Sequence, residues 1–117
     1  MIIAVPTDNK KGINDNVADH FGRCNSYTFL NQAGEVVDII DNSSQHGGGQ
    51  GLPPELIKKY NADVLLCRDI GPKAINLCAK LGIKVFINNS DMVRDIFNLW
   101  KNNKLKPAGI EDSCANL

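Results

Sequence analysis

The chain opens on an apolar block, Ile2-Ile3-Ala4-Val5, that stops at Pro6-Thr7-Asp8, the pattern of a buried strand running out into a loop. Asn9 to Asn25 is polar and punctuated by Asp-Asn, Lys-Lys-Gly and Asn-Asp-Asn, which marks irregular chain. Ser26-Tyr27-Thr28-Phe29-Leu30 reads as a second strand. Asn31 to Gly34 reads as a tight turn and Val36 to Ile40 as a third strand, so the two pair as an antiparallel hairpin. Ser43 to Gly51 is again irregular, with four glycines in its last five residues. Leu52, Leu56, Ile57 and Tyr60 then keep helical spacing behind Pro53 and Pro54, and Asn61-Ala62-Asp63 closes this first helix. Val64 to Cys67 is a fully apolar fourth strand. Ala74, Ile75, Cys78 and Leu81 predict a second helix stopped at Gly82, and Lys84 to Asn88 a fifth strand. Met92, Val93, Ile96, Phe97 and Trp100 predict a third helix, capped by Ser90 or Asp91.

The order β-β-β-α-β-α-β-α constrains the topology. With strand one central, strand two returns antiparallel beside it and strand three takes the edge. Strands four and five, each reached through a helix, lie parallel on the other side because such crossovers are right-handed. The expected five-stranded mixed sheet has the order 3-2-1-4-5. The loop after strand one, the end of strand three and the ends of strands four and five then share one rim, and the crevice between strands one and four is a topological switch point.

That rim collects the chemistry. His20, Arg23 and Cys24 fall within five residues of irregular chain, and His46 and Cys67 map to the same edge. Neutral imidazole and thiolate together suit iron or other soft transition metals, so His20, Cys24, His46 and Cys67 are the candidate metal ligands. Arg23 is a candidate anion contact, and the free amides behind Gly71, where helix two starts, favour an anionic group. Phe21 reads as the anchor that docks the loop. Cys78 shares an apolar helix face and reads as core, and Cys114 lies in the tail. A different constellation, Asp8, Glu55 and Asp69, would suit two-metal phosphodiester chemistry. The run Gly47-Gly48-Gly49-Gln50-Gly51 matches neither a dinucleotide fingerprint nor a P-loop.

Composition narrows the classes. With 117 residues, 43% hydrophobic and 22% charged, one domain is expected, covering 1-105, with a polar tail at 106-117. Thirteen basic residues cancel thirteen acidic ones, which argues against broad binding to nucleic acid or anionic membrane. The N-terminus has no basic region ahead of its short apolar run, so neither signal peptide nor anchor is expected, and the expected location is cytoplasmic. The four cysteines form no C-x-x-C pair and are expected as free thiols.

The opening Ile2 to Asp8, the stretch Val17-Ala18-Asp19-His20-Phe21-Gly22-Arg23-Cys24, and Ile70-Gly71-Pro72-Lys73-Ala74 followed by Leu81 to Val85 resemble the dinitrogenase iron-molybdenum cofactor biosynthesis domain. The resemblance implies a three-layer α/β/α domain of ribonuclease H-like architecture without nuclease activity. It also implies a role in binding or carrying iron-sulfur or iron-molybdenum clusters or their precursors, with donor and acceptor proteins as partners. Cys67, Arg68 and Asp69 stand where the family commonly has small residues. The expected function is therefore a small non-enzymatic carrier of an anionic metal cluster, held near His20, Arg23, Cys24, His46 and Gly71. A metal-dependent phosphodiesterase and a cofactor-free interaction module are the alternatives.

Overall fold

The computed structural model describes residues 1–43 and 52–109. Five strands form one sheet in the order β3-β2-β1-β4-β5, as the crossover rules require. They are β1 (Ile2–Thr7), β2 (Ser26–Leu30), β3 (Val36–Asp41), β4 (Ala62–Cys67) and β5 (Lys84–Ile87). Strand β1 pairs antiparallel with β2 and parallel with β4, β2 pairs antiparallel with β3, and β4 pairs parallel with β5. Among the described residues three α-helices, α1 (Pro53–Lys59), α2 (Pro72–Lys80) and α3 (Val93–Lys101), and a single 3-10 turn at Gly12–Asn14 complete the fold.

Alternation along the strands divides the core into two layers. Ala4, Tyr27, Phe29, Leu65, Cys67 and Val85 meet Leu56 and Ile57 of α1 and Ile75 and Cys78 of α2. Ile3, Val5, Leu30, Val64, Leu66 and Phe86 meet Val93, Ile96 and Phe97 of α3. The central strands are therefore covered on both faces, which is why their sequences read as unbroken apolar runs. Ile3, Val5, Leu65 and Leu66 are wholly buried, each contributing about 1.5–3 kcal/mol of apolar burial. By contrast β3 lies at the edge, and Val36 and Val37 stay exposed.

Several boundaries move for local reasons. Strand β1 runs through Pro6 because its pairing with β4 ends at Ala4. Beyond that point Pro6 needs no donor there, and its carbonyl accepts the Ala18 N–H at 2.9 Å. Strand β4 starts at Ala62, two residues earlier than the apolar run, since Asn61 takes a left-handed φ of 67° and turns the chain directly out of α1. Leu52 and Tyr60 were expected on the apolar face of α1. They flank the helix instead and are exposed, and the Tyr60 ring stacks on Phe29 with centroids 5.3 Å apart. Neither Ser90 nor Asp91 caps α3, whose first turn follows Met92. Ser90 donates to the Asn88 side chain and Asp91 turns to the rim. No helix among the described residues is long and apolar enough to cross a membrane.

The β2–β3 turn lies on the rim opposite the ends of β1 and β4, and it carries a clear packing constraint. Gly34 has φ +85°, and a Cβ there would sit 2.9 Å from Cε2 of Phe97. Gly34→Ala should cost about 1–3 kcal/mol, read as a lowered Tm, because the left-handed backbone and the fixed ring both oppose it. An unchanged melting temperature would overturn this account of the turn.

Candidate functional site

The long segment between β1 and β2 is fastened across the ends of the strands. Its organiser is Asp15, 1% exposed, whose carboxylate accepts backbone N–H groups from Asn9, Lys11 and Asn16 at 2.7–3.2 Å. Its carbonyl takes the Val93 N–H at 3.0 Å, so the same residue holds the loop on the start of α3. Farther on, Val17 N–H donates to the Asp91 carbonyl at 2.8 Å and Phe21 N–H to the Asp69 carbonyl at 2.9 Å. Phe21 is buried and its ring lies 5.7 Å from that of Tyr27, which is the anchoring role expected of it. Gly22 turns the chain at φ +94° beneath Pro53.

The result is a cleft of about 380 Å³ lined by His20, Phe21, Arg23, Asp69, Ile70 and Gly71. His20 Nδ1 lies 3.0 Å from Asp69 Oδ2, with the imidazole 57% and the carboxylate 32% exposed. Asp69 Oδ1 accepts the Ile70 N–H at 3.1 Å. Gly71 is the N-cap of α2 and has no side chain to occupy the first-turn amides, so those behind Pro72 remain open to an anion. Arg23 is exposed, and no ion pair among the described residues engages it. Arg68 points away from the cleft. It reaches Asp19 and Asp91 at 3.4 Å and the Asn89 amide oxygen at 2.8 Å, tying together the segments after β1, β4 and β5.

The sulfur ligands expected from the sequence are not part of this cleft. Cys24 is 1% exposed and Cys67 is wholly buried, both in the apolar layer under α1 and α2. The Asn42 amide donates to the Gly22 and Cys24 carbonyls and turns Cys24 inward. Burial pushes the Cys24 thiol above its ordinary range, against hydrogen bonds with Tyr27 and nearby backbone that pull it down. Burial also raises Cys67, with Cys78 and Asp69 adding repulsion, and raises Cys78 to about 12. A thiol that resists ionisation is a poor metal ligand. Cys78 is core, as its helical position indicated. His46 and Cys114 lie outside the described residues.

The alternative carboxylate constellation does not assemble. Among the described residues no group of three or more His, Cys, Asp or Glu side chains is placed to hold a metal. Glu55 accepts the Leu52 N–H and caps α1, while Asp69 serves His20. The Asp8 carboxyl is held above its usual range, first by partial desolvation and then by Asp15 and Asp19. Asp69, Arg68 and Asp15 carry more of the site than a reading of the sequence assigned to them. The available signal was the Arg68-Asp69 pair at the end of an otherwise apolar strand.

The buried thiols give a direct test. In a Cys114→Ser variant, a chromogenic disulfide reagent at pH 8 should react with Cys24, Cys67 and Cys78 only after denaturant is added; prompt stoichiometric labelling of the native protein would refute their placement. Because the folded-state pKa values are raised, unfolded thiols ionise first, at about 9, and Cys78 holds its proton until about 12. Stability should therefore be intact below about pH 9 and decline as pH rises through that window, measured by urea titration.

Several known proteins are similar to this chain along nearly its whole length. An uncharacterised protein of Methanocaldococcus jannaschii is 30% identical over 111 residues, spanning 91% of this chain and 90% of its own. The apo form of the orange protein from Desulfovibrio gigas superposes with a TM-score of 0.77 at 26% identity, over 92% of each chain. A Thermotoga protein solved by NMR shares the fold, with a TM-score of 0.74 at 19% identity over 91% of each chain. The family model described as dinitrogenase iron-molybdenum cofactor matches residues 1–103, which contain every strand and helix among the described residues and the cleft. The chain thus belongs to the dinitrogenase iron-molybdenum cofactor family.

Proposed function

We propose that this protein is a binding and carrier domain, not an enzyme, whose cargo is an anionic metal-sulfur cluster or precursor taken in the cleft at His20. The observation that carries the reading is the pairing of His20 with Asp69 inside a cleft that also offers Arg23 and the first turn of α2. Family membership supports a cluster-related role.

The donor set narrows the cargo. An iron-sulfur centre ligated by the protein needs several thiolates, and the described cysteines are buried and hard to ionise. One imidazole, a guanidinium and free amides suit a cluster that arrives with its own sulfide or other ligands. Such a cluster would be held by a single metal–nitrogen bond, charge and hydrogen bonds. This grip is reversible, as a carrier between a donor and an acceptor protein requires. Cys24 and Cys67, buried in the core layer, are left out of the ligand set, and His46 is a further ligand candidate on the segment that leads to α1. The setting for this traffic is the cytoplasm, without nucleic acid or membrane as partner.

Anaerobic titration with a preassembled iron-molybdenum cofactor, and separately with ferrous iron and sulfide, tests the proposal. His20→Ala and Arg23→Ala should each weaken binding about tenfold or more, whereas Cys24→Ala should lower thermal stability and leave affinity unchanged. A wild-type protein that stays colourless and metal-free in both titrations would overturn it, as would binding that depends on Cys24 and not on His20.

A further inference from the structure

Asp69 is a departure from the small residues expected at this position, and its contacts explain what the departure does. Its backbone carbonyl holds Phe21, one carboxylate oxygen holds the Ile70 N–H, and the other lies 3.0 Å from His20 Nδ1. The residue is thereby held through its backbone carbonyl and its carboxylate through one oxygen before the other oxygen meets the imidazole. An ionised carboxylate only accepts hydrogen bonds, so the ring nitrogen facing it must be the one that carries the proton. The ring's other nitrogen, Nε2, then keeps its lone pair, no hydrogen bond among the described residues engages it, and the imidazole as a whole is 57% exposed. Among the described residues, Asp69 is the one carboxylate paired with the ring. Asp19 is engaged by Arg68, and Arg23 is a cation that cannot accept a proton.

We infer that Asp69 is a positioning residue that locks His20 in the Nδ1–H tautomer and presents Nε2 as a metal donor. This rests on the cargo reading above and narrows it: the cluster must offer a metal with an exchangeable coordination position, since a cluster capped wholly by sulfide would gain nothing from a directed lone pair. The Arg68 clamp on Asp19, Asn89 and Asp91 holds the neighbouring segments in register, so the carboxylate and the ring meet without rearrangement.

The tautomer can be read without any cluster, from long-range proton–nitrogen NMR of labelled protein at a pH where the ring is neutral, with His46→Gln used to assign His20. The wild type should show the proton on Nδ1. Asp69→Asn, nearly isosteric, should move it to Nε2, because the amide can donate to Nδ1. The same variant should bind the iron-molybdenum cofactor about 10–100-fold more weakly while melting close to the wild type. A wild-type ring protonated on Nε2, or an Asp69→Asn variant with undiminished affinity, overturns the inference even if His20→Ala and Arg23→Ala still abolish binding and the cargo reading stands. Conversely, if neither protein takes up a cluster the cargo reading fails, while a tautomer exchange between wild type and Asp69→Asn still upholds the positioning role of Asp69.

Discussion

The parallel pairing of β1 with β4 is the constraint from which the rest of the molecule follows. Two strands buried on both faces can run side by side in the same direction only if the chain returns through a crossover. That requirement sends α1 to one face and leaves the ends of both strands on one rim. The antiparallel hairpin of β2 and β3 fills the other flank and delivers Asn42 to the same rim, beside the segment that follows β1. Everything chemically interesting in the described chain is thus a consequence of strand direction.

A rim built from loops needs its own source of order, since no sheet or helix ladder satisfies its backbone. Asp15 supplies it from within, its buried carboxylate collecting N–H groups from three positions of the irregular segment. Arg68 supplies it between segments, bridging the loops after β1 and β5. Asp69 adds a third tie and then turns its remaining oxygen to the imidazole. The polar part of the rim is consequently cross-linked by hydrogen bonds and ion pairs between segments distant in sequence.

Burial separates the two chemistries that lie close together in sequence. His20 and Cys24 are four residues apart, yet the imidazole faces the cleft and the thiol faces the core. The turn at Gly22 and the Asn42 amide between them reverse the chain's facing. The cleft thus holds one imidazole, the first-turn amides of α2 and a guanidinium that no ion pair among the described residues engages, while the thiols lie in the core.

The sequence by itself determined the elements, their order in the sheet and the rim on which the motif would lie, because these depend on hydrophobic period and on the handedness of crossovers, both of which are local or nearly so. It also put His20, Arg23 and Gly71 on that rim, where they line one cleft, and read Phe21 as the anchor of the loop. Only the tertiary structure decided that Cys24 and Cys67 turn inward, that Asp69 belongs to His20 and not to a carboxylate cluster, and that Asp15 and Arg68 hold the rim. The reason is physical: the facing of a side chain in an irregular loop is set by hydrogen bonds to partners distant in sequence, such as Phe21 with Asp69 or Asp15 with Val93. Neither periodicity nor spacing carries a record of those partners.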